Sequence, residues 1–65
     1  MKIICNNKII EIEKNTNLPE LLRILKYRNS VSVFINGKQL LASETDSYIF
    51  NENDNVKIIR ILGGG

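Results

Sequence analysis

Leu18, Leu21, Leu22 and Leu25 fall at i, i+3, i+4 and i+7, the spacing of one face of an α-helix. This stripe is the best-defined element of the sequence, and a lone helix cannot bury it. Asn17 stands at the N-cap position, Glu20 completes a capping-box-like pair, and Pro19 falls in the first turn, where its missing N–H costs nothing. Lys26 and Arg28 close the helix at the negative end of its dipole, and Asn29-Ser30 ends it. The segments on either side read as strands. The economical solution is a mixed sheet with the helix lying across one face, an α+β layer architecture.

Lys2–Cys5 reads as the first strand and Lys8–Glu13 as the second, joined by Asn6-Asn7, because Asn tolerates the positive φ of a tight hairpin. Val31, Val33 and Ile35 alternate with Ser32 and Phe34 in a strand with one buried face. Asn36-Gly37 predicts a type I′ turn into a short strand over Lys38–Leu41. Residues 42–55 read as polar and irregular, with Tyr48-Ile49-Phe50 as a hydrophobic plug and a turn at Asn51–Asn55. Val56–Leu62 is the last strand, expected at the centre of the sheet beside the first.

Composition narrows the function. At 65 residues the chain is a single domain that buries only about 60% of its unfolded surface. Its apolar content of 43% suits a globular core. No apolar run exceeds three residues, which leaves neither a membrane span nor a signal-peptide core, so the expected location is cytoplasmic. With one cysteine and no histidine, there is no internal disulfide, no obvious metal ligand set and no Ser-His or Cys-His pair. A net charge of +2, dispersed along the chain, is too mild for nucleic acid. These features disfavour an enzyme and favour a binding or carrier role.

The sequence finishes Gly63-Gly64-Gly65. Without Cβ atoms, such a tail can lie extended in a channel too narrow for side chains, reaching about 10 Å beyond the sheet. The group it delivers is a terminal carboxylate, which needs no catalytic side chain from the carrier. The expected division is a domain over residues 1–62 and a flexible glycine tail over 63–65.

The order of these motifs resembles the ThiS family of sulfur carrier proteins, within the ubiquitin-like β-grasp group that includes the MoaD type. The resemblance spans the chain: Asn17-Leu18-Pro19-Glu20-Leu21-Leu22 opening the helix, Val33-Phe34-Ile35-Asn36-Gly37 at the central hairpin, Asn53-Asp54-Asn55-Val56 before the last strand, and the glycines. Where the family commonly has Gly-Asp, this chain has Asn53-Asp54, and Asn is the next best residue at a left-handed position. Leu41–Tyr48 lacks the Arg and Trp often found there in the family.

The resemblance implies a β-grasp fold, a mixed sheet of four to five strands with one main helix. It also implies that a ThiF-like, E1-type adenylyltransferase uses ATP and Mg²⁺ to activate the Gly65 carboxylate. Sulfur from a cysteine desulfurase then replaces AMP, and a ThiG-like thiazole synthase accepts it from the thiocarboxylate. Gly63 and Gly64 would thread the partner's channel. No cofactor is bound by the carrier itself, and neither nucleic acid nor a membrane is an expected partner. A MoaD-like carrier for molybdopterin or another thiocarboxylate pathway, and a non-carrier β-grasp interaction module, are the alternatives.

In a β-grasp sheet the face away from the helix carries Ile4, Phe34 and Ile59, with Ile61, and this patch is the expected docking surface for partners. Cys5 shares the face of Ile3 and reads as a small buried hydrophobe. Asp54 is expected to hold the turn before the last strand. Lys57 and Arg60 are expected as solvated charges flanking the tail strand.

Overall fold

Two short turns set the register of the sheet in the computed structural model, which describes residues 1–27 and 30–61. Asn6 and Asn7 have φ of +48° and +68°, and Asn36 and Gly37 have +51° and +86°. Both pairs have the doubly left-handed backbone that a two-residue type I′ hairpin requires. The first turn joins β1 (Lys2–Cys5) to β2 (Lys8–Glu11), and the second joins β3 (Val31–Ile35) to β4 (Lys38–Gln39). β5 (Asn55–Arg60) lies parallel to β1 and antiparallel to β3, giving the order β2-β1-β5-β3-β4. This is the expected β-grasp sheet with the last strand at its centre.

The helix α1 (Leu18–Ile24) begins as the sequence predicts, with the Glu20 N–H donating to Asn17 Oδ1 at 2.9 Å. Its end differs. Rather than running to Lys26, Arg28 and Asn29, the helix stops at Ile24, and Lys26 takes φ +66°. The Tyr27 N–H donates to the Leu22 carbonyl at 2.9 Å and the Lys26 N–H to the Arg23 carbonyl at 3.0 Å, the paired bonds of a Schellman motif. A lysine gives no signal for the left-handed position that glycine usually fills, so the apolar period overran the stop. Arg28 and Asn29 lie outside the described residues.

Other boundaries are also tighter than expected. β2 ends at Glu11, not Glu13, because the Thr16 hydroxyl and N–H draw the Glu13 carbonyl into a turn at 2.6 and 3.2 Å. β4 ends at Gln39 rather than Leu41. The segment expected to be irregular contains a single helical turn, α2 (Ala42–Thr45), closed by the Glu44 carboxylate accepting the Leu41 N–H at 2.7 Å. None of its residues is buried, so it carries no apolar spacing to read. Of the expected plug, Phe50 is buried and Tyr48 packs edge-to-face against it with ring centroids 5.3 Å apart, whereas Ile49 is exposed. β5 includes Asn55 and ends at Arg60; Leu62 is outside the described residues.

The core lies between α1 and the inner sheet face, built on Ile3, Leu18, Leu21 and Val56, which are fully enclosed. Cys5 is buried there as expected, and burial pushes its thiol pKa up. β5 is also held by side chains from both hairpin turns. Asn6 Oδ1 accepts the Ile58 N–H at 2.9 Å, and its Nδ2 donates to the Ile58 carbonyl at 3.4 Å. Asn36 Oδ1 accepts the Asn55 N–H at 2.9 Å, and its Nδ2 donates to Asp54 Oδ1 at 3.0 Å. Asp54, itself buried, also accepts the Tyr48 hydroxyl at 2.6 Å and the Asn51 N–H at 2.9 Å. It holds the turn as predicted, beside Asn53 at φ +67°.

Candidate functional site

Alternation along the strands places Ile4, Asn55, Lys57, Ile59, Ser32 and Phe34 on the sheet face away from α1. Phe34 sits opposite Lys57 in the β3–β5 register and Ser32 opposite Ile59, which makes Phe34 and Ile59 diagonal neighbours. With Gly37, Asn55 and Lys57 they line a shallow hollow of about 430 Å³. Phe34 is half-buried and Ile59 is 52% exposed, so the hollow has an apolar wall with an ammonium group at its side.

The four residues singled out from the sequence do not form one continuous cluster. Ile61 lies two residues past Ile59, 55% exposed, with its N–H donating to the Ser30 carbonyl at 3.2 Å. Ile4 aligns with Asn55 across the β1–β5 pairing, on the far side of β5 from Phe34. Its apolar neighbour is Ile9, directly opposite in the β1–β2 ladder and 73% exposed. Sequence reading missed Ile9, although the signal was present: a two-residue turn at Asn6-Asn7 fixes Cys5 opposite Lys8, and hence Ile4 opposite Ile9.

The two charges flanking the last strand separate. Lys57 stands on the outer face within the hollow. Arg60 is on the helix side and exposed as expected, its guanidinium carbon 5.2 Å from the centroid of the Tyr27 ring in a cation–π arrangement. Gly63, Gly64 and Gly65 lie outside the described residues.

This face offers apolar contact beside one ammonium group. Among the described residues no group of His, Cys, Asp or Glu is placed to hold a metal ion, and none of their helices is long and apolar enough to cross a membrane. The one thiol is enclosed. An apolar, lysine-edged surface on the central strand fits a partner offering an apolar side chain beside a carboxylate.

Comparison with known proteins agrees with this architecture. The chain matches the crystal structure of a thiamine biosynthesis protein (ThiS) from Geobacter metallireducens at TM-score 0.82 and 29% identity, over 100% of both chains. It matches the NMR solution structure of a thiamine biosynthesis protein from Geobacter metallireducens at TM-score 0.77 and 29% identity, over 100% of this chain and 88% of that one. No curated protein matches the chain significantly. The ThiS family model matches residues 2–65, from the first strand through the closing glycines, and the chain accordingly belongs to the ThiS family.

Proposed function

We propose that this protein is a sulfur carrier for thiamine biosynthesis, acting as a covalent co-substrate and not as an enzyme. The family match through Gly65 is the observation that carries this reading. In the proposed cycle an E1-type adenylyltransferase of the ThiF kind uses ATP and Mg²⁺ to join the Gly65 carboxylate to AMP, releasing pyrophosphate. A carboxylate resists nucleophiles, and the acyl-adenylate supplies the leaving group it lacks. A persulfide from a cysteine desulfurase system attacks the carbonyl carbon and expels AMP. Reductive cleavage of the resulting acyl disulfide by a thiol leaves the thiocarboxylate, and a thiazole synthase of the ThiG kind takes up its sulfur.

The chain's own residues have two tasks in this cycle. β5 carries the backbone through the middle of the sheet to Arg60, and residues 61–65 follow this central strand in the chain. Phe34 and Ile59, with Ile61 beyond them and Ile4 beside Ile9, offer the surface on which the adenylyltransferase or the synthase docks, while Gly63 and Gly64 pass through its channel.

Intact mass spectrometry tests this reading. After incubation with a ThiF-type enzyme, ATP, Mg²⁺ and a persulfide donor, the expected product is heavier by the exchange of one oxygen for one sulfur. A chain lacking Gly64 and Gly65 should gain nothing. Unchanged mass under conditions that convert a Geobacter ThiS control, or equal gain by the shortened chain, would overturn the proposal.

A further inference from the structure

Asn36 is the only asparagine of the chain that a glycine follows. Gly37 has no Cβ to shield its peptide nitrogen, and the space where one would stand is open to 4 Å. Such a pair carries both partners of a reaction. The Gly37 nitrogen, once its proton passes to hydroxide, can bond to Asn36 Cγ. The Cγ–Nδ2 bond then breaks, the nitrogen leaves as ammonia with a proton from water, and a five-membered imide remains. Water opens that ring at either carbonyl, giving aspartate or isoaspartate. One water is consumed and one ammonia released, with no oxidation or reduction.

The folded turn opposes this step in two ways. Asn36 Oδ1 accepts the Asn55 N–H at 2.9 Å and Nδ2 donates to Asp54 Oδ1 at 3.0 Å, so the carboxamide is clasped to the start of β5. A nitrogen that must gain a proton to leave is here donating one to a buried carboxylate. The backbone is the second obstacle. A nearly planar imide needs the Gly37 nitrogen almost eclipsed with Cβ about the Cα–C bond, far from the ψ of about +30° that a type I′ turn has there. Asn36 and Gly37, at φ +51° and +86°, hold that turn, so it must open before the ring can close.

Neither product fits the closed turn. Aspartate sets a second carboxylate where Nδ2 lay 3.0 Å from Asp54 Oδ1. Asp54 is buried, and its other oxygen is committed to the Tyr48 hydroxyl and the Asn51 N–H, so turning away forfeits both bonds. Isoaspartate adds a methylene to the main chain of a two-residue turn that sets the β3–β4 register.

We propose that Asn36 is a deamidation site gated by its own clasp on Asp54 and Asn55. The closed turn preserves the carboxamide, release from β5 delivers it to the Gly37 nitrogen, and conversion is one-way because neither product restores the clasp. The site is independent of the carrier reading.

Ageing the full chain in mildly alkaline buffer, with and without denaturing guanidinium chloride, tests this. Tandem mass spectrometry of the tryptic peptide 29–38 locates the exchange of NH for O. Exchange at Asn36 should be at least about tenfold faster in guanidinium chloride. The blocked peptide Ile-Asn-Gly-Lys, which has no clasp to open, should react at similar rates in both solutions. Asn36→Asp should lower the urea midpoint by more than Asn36→Gly, which removes the clasp without adding a charge, and should speed amide exchange at Asn55 by about tenfold or more. Should neither variant fold, proteolysis of the parent chain, aged in guanidinium chloride and returned to buffer, decides: converted chains should be cut faster than unconverted ones in the same sample. Equal rates at Asn36 in both solutions, conversion of other asparagines ahead of it, Asn36→Asp as stable as Asn36→Gly, or equal resistance of converted chains would each overturn the proposal.

Discussion

Asp54 accepts three hydrogen bonds while buried, and one of its donors, the Tyr48 hydroxyl, has its pKa pushed up to about 12. Burial is the largest cause, with the hydrogen bond to Asp54 and the repulsion between a phenolate and that carboxylate adding to it. The folded state thus holds the phenolic proton more tightly than an unfolded chain, where the ordinary value is 10.0. The stabilisation is fully present below pH 10 and is lost as pH rises through about 12. Urea denaturation midpoints measured from pH 8 upward should fall across that window. Tyr48→Phe should lower stability at pH 8, through loss of the hydroxyl bond, and flatten the alkaline decline. Asp54 was legible in the sequence as a turn residue, because an acid between Asn53 and Asn55 before a β-branched run has a local role. Its bonds to Asn36 and Tyr48 were not, since local spacing cannot reveal which hairpin folds back onto a turn.

At the scale of elements, the turns were the most legible parts and the terminations the least. Asn-Asn and Asn-Gly announce positive φ chemically, and every strand pairing on either side of them follows. The end of α1 is a tertiary matter. Lys26 is left-handed because Leu22 and Tyr27 both pack onto the core, and a residue with a Cβ is held there against its preference. Lys26→Gly should raise stability by about 1 kcal/mol, measured as a higher urea midpoint at unchanged slope. A lower midpoint would mean that the lysine makes a compensating interaction. α2 escaped sequence reading for the opposite reason: it exposes its residues, so no apolar rhythm marks it, and a single Glu44 side chain closes it. Of the candidate surface, alternation alone supplied Ile4, Phe34 and Ile59. Ile9 and the placing of Arg60 over a ring needed the register and Tyr27.

Taken as a whole, the molecule is two hairpins joined through one strand, whose outer-face residues Asn55, Lys57 and Ile59 are exposed. Phe34→Glu places a charge beside Ile59 while the inner face stays intact, so its thermal midpoint should stay within a few degrees of the parent. Affinity for a ThiF-type adenylyltransferase should fall by about tenfold or more in a calorimetric titration. Undiminished affinity would remove the outer face from the docking role. The placement of β5 also bears on how the protein is made. β1–β2 and β3–β4 emerge from the ribosome first, yet neither hairpin pairs directly with the other. Their common seam follows both of them in the chain, so the two halves of the sheet are joined only once β5 is in place. A molecule whose two hairpins are joined into one five-stranded sheet has therefore already been translated through Arg60.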